Sequence, residues 1–186
     1  MKKYKVTIQG TSPLLMNKPS QMMIGEKSKD SKRETMSLKE QAELKLYEND
    51  GKLYQPATHL QGALVEAGKH KKKLGTGSSR SNYSKVCGYA VQIDPFEIVH
   101  KNQKWEVFSI LAVNPTTKGR NLLNRPMLKN WELNFEVVFD EEQIEVPVMK
   151  ELFDIAGRIV GIGDWRPSKK GRFGKFQVTE WKEIKD

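Results

Sequence analysis

The sequence predicts an α+β fold, because strand-like and helix-like segments follow one another in a particular order. Apolar and polar residues alternate from Tyr4 to Gln9, which predicts a strand, and apolar residues recur at helical spacing from Leu60 to Ala67. Leaving insertions aside, the order is strand, helix, strand, strand, helix, strand. That is the split βαβ arrangement of a ferredoxin-like or RRM-like core, in which two helices cover one face of an antiparallel sheet.

Each element has its own local signal. The first strand ends at Gly10, which interrupts the alternation. Thr58 and Gln61 have the spacing of a capping box, so the first main helix is predicted to begin beside them. The last helix is predicted to run from Pro147 to Gly161, since proline suits a first helical turn and glycine a helix end. The remaining predicted elements are a short helix over residues 38–47, strand-like runs at 89–99, 106–113 and 132–139, and a closing strand at 176–181.

Composition limits the class of protein. The 186 residues suit one domain, and a formal net charge of +9 favours an anionic partner. Cys87 is the only cysteine, which excludes an internal disulfide and a cysteine-based zinc site. The N-terminus lacks the apolar core of a signal peptide, and no apolar run approaches the ~20 residues that span a bilayer. The expectation is a soluble cytoplasmic protein with no membrane partner.

The segment from Gly161 to Phe176 mixes glycines, cations and aromatic residues within one short stretch. Glycine lets a backbone come close to a ligand, lysine and arginine neutralise phosphate, and aromatic rings stack on unpaired bases. The mixture predicts a loop that binds single-stranded nucleic acid, with backbone N–H groups from Gly161 to Gly163 assisting the cations. The residues predicted to contact nucleic acid in this loop are Gly161, Gly163, Trp165, Arg166, Lys169, Lys170, Gly171, Arg172, Phe173 and Lys175.

Two further basic segments are predicted to add phosphate contacts. One lies in a glycine- and serine-rich stretch, expected to be a mobile insertion near residues 69–87, and the other in a basic loop between two strand-like runs. A second mobile insertion is expected near residues 20–36. The alternative for the first basic segment is a solvated linker kept soluble by its charge. The residues predicted to contact phosphate are Lys71, Lys72, Lys73 and Arg80 in the first segment and Lys118, Arg120 and Arg125 in the second.

Other chemistries have weaker support in the sequence. The glycines of Gly161-x-Gly163 follow a helix, whereas a dinucleotide fingerprint follows a strand. The carboxylates have no recognisable metal-binding spacing, so neither a metal nor a cofactor is predicted. His59 is the histidine to consider for metal-independent RNA cleavage, but no histidine lies within the glycine-rich loop. Binding without catalysis is the preferred interpretation, and a histidine-dependent endoribonuclease is the alternative.

The end of the chain also resembles a known family. A last helix that ends in Gly161-Ile-Gly163, followed by cations, further glycines and a final strand, resembles the C-terminal glycine-rich loop of the RAMP superfamily of CRISPR-associated proteins. Residues 11–16 and 56–63 are similar to that group, and the insertion at 69–85 lies where its members carry a thumb. The resemblance implies a single RAMP-like domain over residues 1–186 that coats guide RNA as a backbone subunit.

The same resemblance implies the partners of the chain. They are single-stranded RNA or DNA, further copies of the chain side by side along the strand, and other effector subunits. A phage or mobile-element relative is equally compatible with these motifs. A further alternative is a phage assembly protein whose basic face binds an acidic protein.

Overall fold

The computed structural model describes residues 1–19, 36–73, 81–113 and 118–185. A π-helical turn at Ala156–Val160 continues the last helix, and a 3₁₀ turn at Pro167–Lys169 lies in the loop that follows. The helices and strands in chain order are β1 (Lys2–Gly10), β2 (Leu14–Leu15), α1 (Leu38–Glu43), β3 (Glu48–Asn49), β4 (Lys52–Pro56), α2 (Ala57–His70), α3 (Ser84–Tyr89), β5 (Val91–Asp94), β6 (Glu97–Val99), β7 (Glu106–Val113), β8 (Arg120–Leu128), β9 (Glu132–Phe139), α4 (Val146–Ile155) and β10 (Phe176–Ile184).

The central sheet has four strands in the order β10-β1-β9-β5, and all neighbouring strands are antiparallel. Helix α2 lies between β1 and β5 in the chain, and α4 between β9 and β10. Strand β9 therefore lies between the two strands that flank α2, and β1 lies between the two that flank α4. This is the split βαβ topology, so the predicted fold class is confirmed.

The core forms between this sheet and the two long helices. Val6 and Ile8 of β1 are fully buried, as the alternation predicts, and they share one apolar cluster with Leu60 and Leu64 of α2. Helix α4 adds Phe153, whose ring stacks on Phe135 of β9 at 6.1 Å. Burying each of these side chains stabilises the fold by roughly 2 kcal/mol relative to leaving it exposed.

Two local predictions around α2 and β5 are wrong. Pro56 is the N-cap of α2 without a side-chain cap, and Gln61 instead donates a hydrogen bond to the Cys87 carbonyl. The strand-like run at 89–99 divides into β5 and β6, which belong to different sheets. Pro95 stands between them and has no N–H with which to continue a ladder.

The predicted basic loop before Pro126 is largely a strand. β8 pairs with β7 from Glu106↔Met127 to Val113↔Arg120, and its end pairs with β2 at Leu14↔Leu128. The charges and the proline of this segment are typical of a loop, but pairing with β7 from Arg120 to Met127 holds it extended. The β7–β8 hairpin therefore belongs to a second sheet, in the order β2-β8-β7.

The predicted insertion near 69–87 is ordered at both of its ends. Helix α2 continues to His70, a β-bridge joins Lys72 to Asn82, and α3 packs against α2 with Val86 and Cys87 buried. The sequence predicts a mobile insertion here, whereas both of its ends have regular secondary structure. Residues 74–80, including Arg80, and nearly all of the segment predicted at 20–36 lie outside the described residues. No helix within the described ranges is long and apolar enough to cross a lipid bilayer.

Candidate nucleic-acid interface

The glycine-rich loop, residues 161–175, is hydrogen-bonded to β2 and to the turn between β1 and β2. The N–H of Asp164 donates to the Leu15 carbonyl at 2.9 Å, and that of Gly174 donates to the Pro13 carbonyl at 2.8 Å. The Lys175 N–H donates to the Ser12 hydroxyl at 2.9 Å. These bonds position the loop between α2 on one side and the β7–β8 hairpin on the other.

The glycines of the loop allow backbone to pack directly on backbone. A Cβ on Gly171 would lie 1.7 Å from the Trp165 carbonyl oxygen, and one on Gly174 would lie 1.8 Å from that of Ile162. Gly174 also has a φ of +69°, a conformation that side chains rarely adopt. At these positions glycine is required by packing inside the protein.

The expectation that backbone N–H groups from Gly161 to Gly163 help to hold phosphates is wrong for two of them. The Gly161 N–H donates to the Ala156 carbonyl at 2.7 Å, and the Ile162 N–H donates to the Gly174 carbonyl at 3.0 Å. Both donors are used inside the protein. These two N–H groups are therefore not available to a ligand.

Arg125 joins the loop to β8. Its Nε donates to the Asp164 carboxylate at 2.9 Å. Only 10% of the Arg125 side chain and 22% of the Asp164 side chain are exposed to solvent. Arg125 was expected to contact phosphate from a loop. In the strand it is buried and its charge is compensated by Asp164, so it positions the loop.

A cleft of about 600 Å³ opens between the loop and β7; we call it the hairpin cleft. Phe108 and Phe173 meet edge to face within it at 5.2 Å. Phe173 is buried, whereas Trp165 is partly exposed. The residues that line the hairpin cleft are Pro13, Phe108, Ile110, Trp165, Lys170, Gly171, Arg172 and Phe173.

A second cleft, of about 380 Å³, opens on the other side of the loop; we call it the helix cleft. Its walls are mostly polar. The loop contributes Arg166 and Lys169 to its lining, and α2 contributes His59, Gly62 and Glu66. Other polar residues of the lining are Asn17, Tyr47, Thr58, Asp164 and Ser168.

His59 is held in a defined position inside the helix cleft. The Gln55 amide contacts its Nδ1, and the Tyr47 hydroxyl lies 3.4 Å from its Nε2. Burial lowers the pKa of His59 below its ordinary value, and the positive charge of Arg166 lowers it further. The neutral imidazole is therefore favoured beside the loop.

The structure also places four further predicted cations, Lys71, Lys73, Lys118 and Arg120. Lys71 forms an ion pair with Glu151, and Lys73 lies 5.3 Å from the Tyr83 ring centre, at the C-terminal end of α2. Lys118 and Arg120 are exposed at the outer end of the β7–β8 hairpin. That end lies roughly 17 Å along the strand from Arg125, so Lys118 and Arg120 do not lie beside the glycine-rich loop.

No local pattern in the sequence shows that the residues of the two clefts come together. Phe108 and Ile110 share one face of β7, which strand alternation reveals, but the sequence does not show that this face meets the loop. His59 reaches the loop through the packing of α2, and Tyr47 reaches it from the segment between α1 and β3. Within the described ranges, no three histidine, cysteine or acidic side chains lie close enough together to hold a metal ion.

Comparison with known proteins gives a likeness of fold. No protein-family model matches the sequence, and no curated protein matches it. The chain is similar to a chain in the cryo-EM structure of the Type III-B Cmr-beta bound to cognate target RNA, with a TM-score of 0.58 and 14% sequence identity. The match covers 99% of this chain and 61% of that chain, so this chain spans less than two thirds of its length.

Proposed function

We propose that this protein binds single-stranded RNA through the glycine-rich loop, as a subunit of a CRISPR-type effector. The observation that carries the proposal is the hairpin cleft, where Trp165 and Phe108 lie beside Lys170 and Arg172. A cleft with aromatic walls and cations at one side matches what an unpaired nucleotide offers, a flat base and an anionic phosphate.

The aromatic residues favour a single strand over a duplex. A base must leave its own stack before it can lie against Trp165, and an unpaired base does so at little energetic cost. Stacking on an aromatic side chain contributes about 1–3 kcal/mol per base and depends little on sequence. The protein is therefore expected to bind many RNA sequences with similar affinity, and that affinity is expected to fall as the salt concentration rises.

Four of the cations of the loop divide between its two sides. Arg166 and Lys169 line the helix cleft, whereas Lys170 and Arg172 line the hairpin cleft. The loop is thus a ridge with positive charge on both flanks. A strand that crosses this ridge meets cations along its path and finds a cleft on each side.

The likeness of fold supports the choice of RNA and of an effector partner. The similar chain comes from a structure whose Cmr-beta is bound to target RNA. By analogy, the partners of this chain are other effector subunits or further copies of itself along the strand, in the cytoplasm. A role outside CRISPR, in a phage or mobile element, would use the same binding surface.

Binding to a labelled single-stranded 20-mer RNA at ~50 and ~200 mM salt tests the proposal, since phosphate contacts weaken steeply over that range. Replacing Lys170 and Arg172 together by alanine is expected to lower the slope of log K against log salt by about 1.4, or about 0.7 for each lost contact. The matched control replaces Lys52 and Lys182, two exposed lysines on β4 and β10, by alanine. No binding by the unaltered chain at ~50 mM salt, or equal losses in the two double variants, contradicts the proposal.

One observation favours a second function, a metal-independent endoribonuclease. The neutral His59 lies in the same cleft as Arg166 and Lys169, which is the pairing of a proton acceptor with charge-stabilising cations that RNA cleavage needs. Incubation of labelled RNA with the protein and a chelator separates the two functions. Cleavage that His59→Ala abolishes would establish the enzyme, whereas intact RNA with retained binding supports the binding protein.

A further inference from the structure

We propose that the helix cleft is a pocket for one nucleotide of the bound strand. Arg166 and Lys169 hold its phosphate, while Asn17, Tyr47 and His59 face its polar groups. The inference rests on the proposed function and adds to it a site with polar readout, in contrast to the stacking surface of the hairpin cleft. The volume of about 380 Å³ falls within the range of about 300–1,000 Å³ typical of small-molecule sites.

Gly62 is the first reason to expect an occupant. It lies inside α2 and lines the cleft, and a Cβ placed on it would meet no other atom within 4 Å. A glycine inside a helix lowers stability relative to alanine. Gly68 of the same helix has a packing reason, since its Cβ would lie 2.6 Å from the Ser84 backbone. Gly62 has no such reason within the described structure, and its effect is to keep the wall of the cleft open.

Asn17 is the second reason. Its Oδ1 is buried and has no hydrogen-bond partner in the described structure, and the residue lines the cleft. A buried acceptor without a donor lowers stability, so such atoms are normally satisfied by a protein group, a ligand or water. A nucleotide supplies donors of the required kind in its ribose hydroxyls and in the amino groups of its base.

The charge of the cleft is the third reason. Its two carboxylates are compensated, because Asp164 pairs with Arg125 at 2.9 Å and Glu66 pairs with Lys69 at 2.6 Å. Arg166 bonds only to neutral groups in the described structure, the Ser168 hydroxyl at 3.1 Å and the Gly163 carbonyl at 3.0 Å. Its guanidinium is thus held in place while its charge stays available to an anion.

The ring of His59 reports directly on a phosphate in the cleft. The positive charge of Arg166 lowers the pKa of His59, so an anion that compensates Arg166 raises that pKa again. The probes are the four ribonucleoside 5′-monophosphates, added separately while the ring signals of His59 are followed by NMR against pH. At least one of them is expected to shift the His59 titration upward and leave the signals of the buried His100 unchanged.

Substitutions at Gly62 test the same pocket with the intact strand. Gly62→Glu places a negative charge where the phosphate is proposed to lie and is expected to weaken binding of the 20-mer RNA about tenfold. Gly62→Lys adds similar bulk with the opposite charge and is expected to bind more tightly than Gly62→Glu. Gln92→Glu, an equal change of charge on β5, is the control, and urea unfolding checks that each variant folds.

The outcomes separate this inference from the proposed function. If the unaltered chain binds the RNA but no monophosphate moves the His59 signals and both Gly62 variants bind like the unaltered chain, the pocket is wrong and the loop function stands. If a monophosphate moves the His59 signals while the chain binds no RNA, the pocket stands and the proposed function is wrong.

Discussion

The guanidinium of Arg125 on β8 and the carboxylate of Asp164 in the glycine-rich loop form an ion pair at 2.9 Å. This contact joins the second sheet to the loop that leads back into the central sheet. Because the loop also bonds to the β1–β2 turn, its cations are displayed from a fixed support. Preorganisation of this kind reduces the entropy lost when a strand binds.

Arg125→Ala is predicted to lower the free energy of unfolding by about 3 kcal/mol, at the low end for a buried pair because Asp164 still reaches solvent. The loss arises because the Asp164 carboxylate remains without its partner. Urea unfolding measures it, with Arg158→Ala as the control. Arg158 pairs with Asp154 at 3.6 Å on the surface, where such a pair contributes about 0.3–0.5 kcal/mol. Equal losses in the two variants would contradict the structural role of Arg125.

Two glycine-to-alanine substitutions are predicted to have opposite signs. Gly62→Ala is expected to stabilise the fold by about 1 kcal/mol, because α2 gains helix propensity and the new methyl group meets open space. Gly174→Ala is expected to destabilise it by about 2 kcal/mol or more, because φ is +69° and the Ile162 carbonyl occupies the space. Thermal or urea unfolding of both variants checks the signs. Stabilisation by Gly174→Ala would show that the loop does not pack as described.

Stability is predicted to fall with acid because of His100. Burial lowers the pKa of His100 from 6.5 to about 4, and neither ring nitrogen has a partner in the described structure. The unfolded chain therefore binds a proton more readily than the folded one between those values. Stability is complete above about pH 6.5 and decreases as the pH falls towards 4, by about 2 kcal/mol between pH 7 and pH 5.

The variant His100→Leu isolates this contribution. Leucine cannot take up a proton, so the part of the pH dependence that comes from residue 100 is expected to disappear. Urea midpoints of both proteins at pH 7 and pH 5 provide the comparison. If the two proteins lose the same stability between these pH values, residue 100 is not the source of the acid sensitivity.

Trp165→Ala is predicted to weaken RNA binding by about 1–3 kcal/mol, because one base loses its stacking partner in the hairpin cleft. Trp165→Phe keeps a flat ring and is expected to retain most of the affinity. Tyr89→Ala removes an aromatic residue that is 70% exposed on α3 and serves as the control. Fluorescence anisotropy with a labelled single-stranded RNA measures all three. A Tyr89 variant weakened as much as the Trp165 variant would place the stacking surface elsewhere.

The central sheet could be predicted from the sequence because its signals are local. Alternation in β1 and helical spacing in α2 each follow from one segment, and the order of segments then restricts the topology. The sequence does not reveal strand β8, because Arg120 to Pro126 has the composition of a loop and is held extended by its pairing with β7. Local composition cannot report a conformation that distant strands impose.

The candidate site could be predicted only in part, because only some of its residues are neighbours in the sequence. The loop and its cations stand together in the sequence, so their proximity follows directly. The two clefts form only where the loop meets other elements, Phe108 of β7 on one side and His59 of α2 on the other. A single sequence shows which side chains share a face, but not which faces meet.

Photo-crosslinking tests the central claim most directly. A single-stranded RNA that carries 4-thiouridine is irradiated with the protein, and the crosslinked peptides are mapped by mass spectrometry. Binding through the glycine-rich loop predicts crosslinks in the peptides that contain Trp165 to Arg172 and in the peptide that contains Phe108. Crosslinks confined to peptides outside the loop and both clefts would contradict the claim.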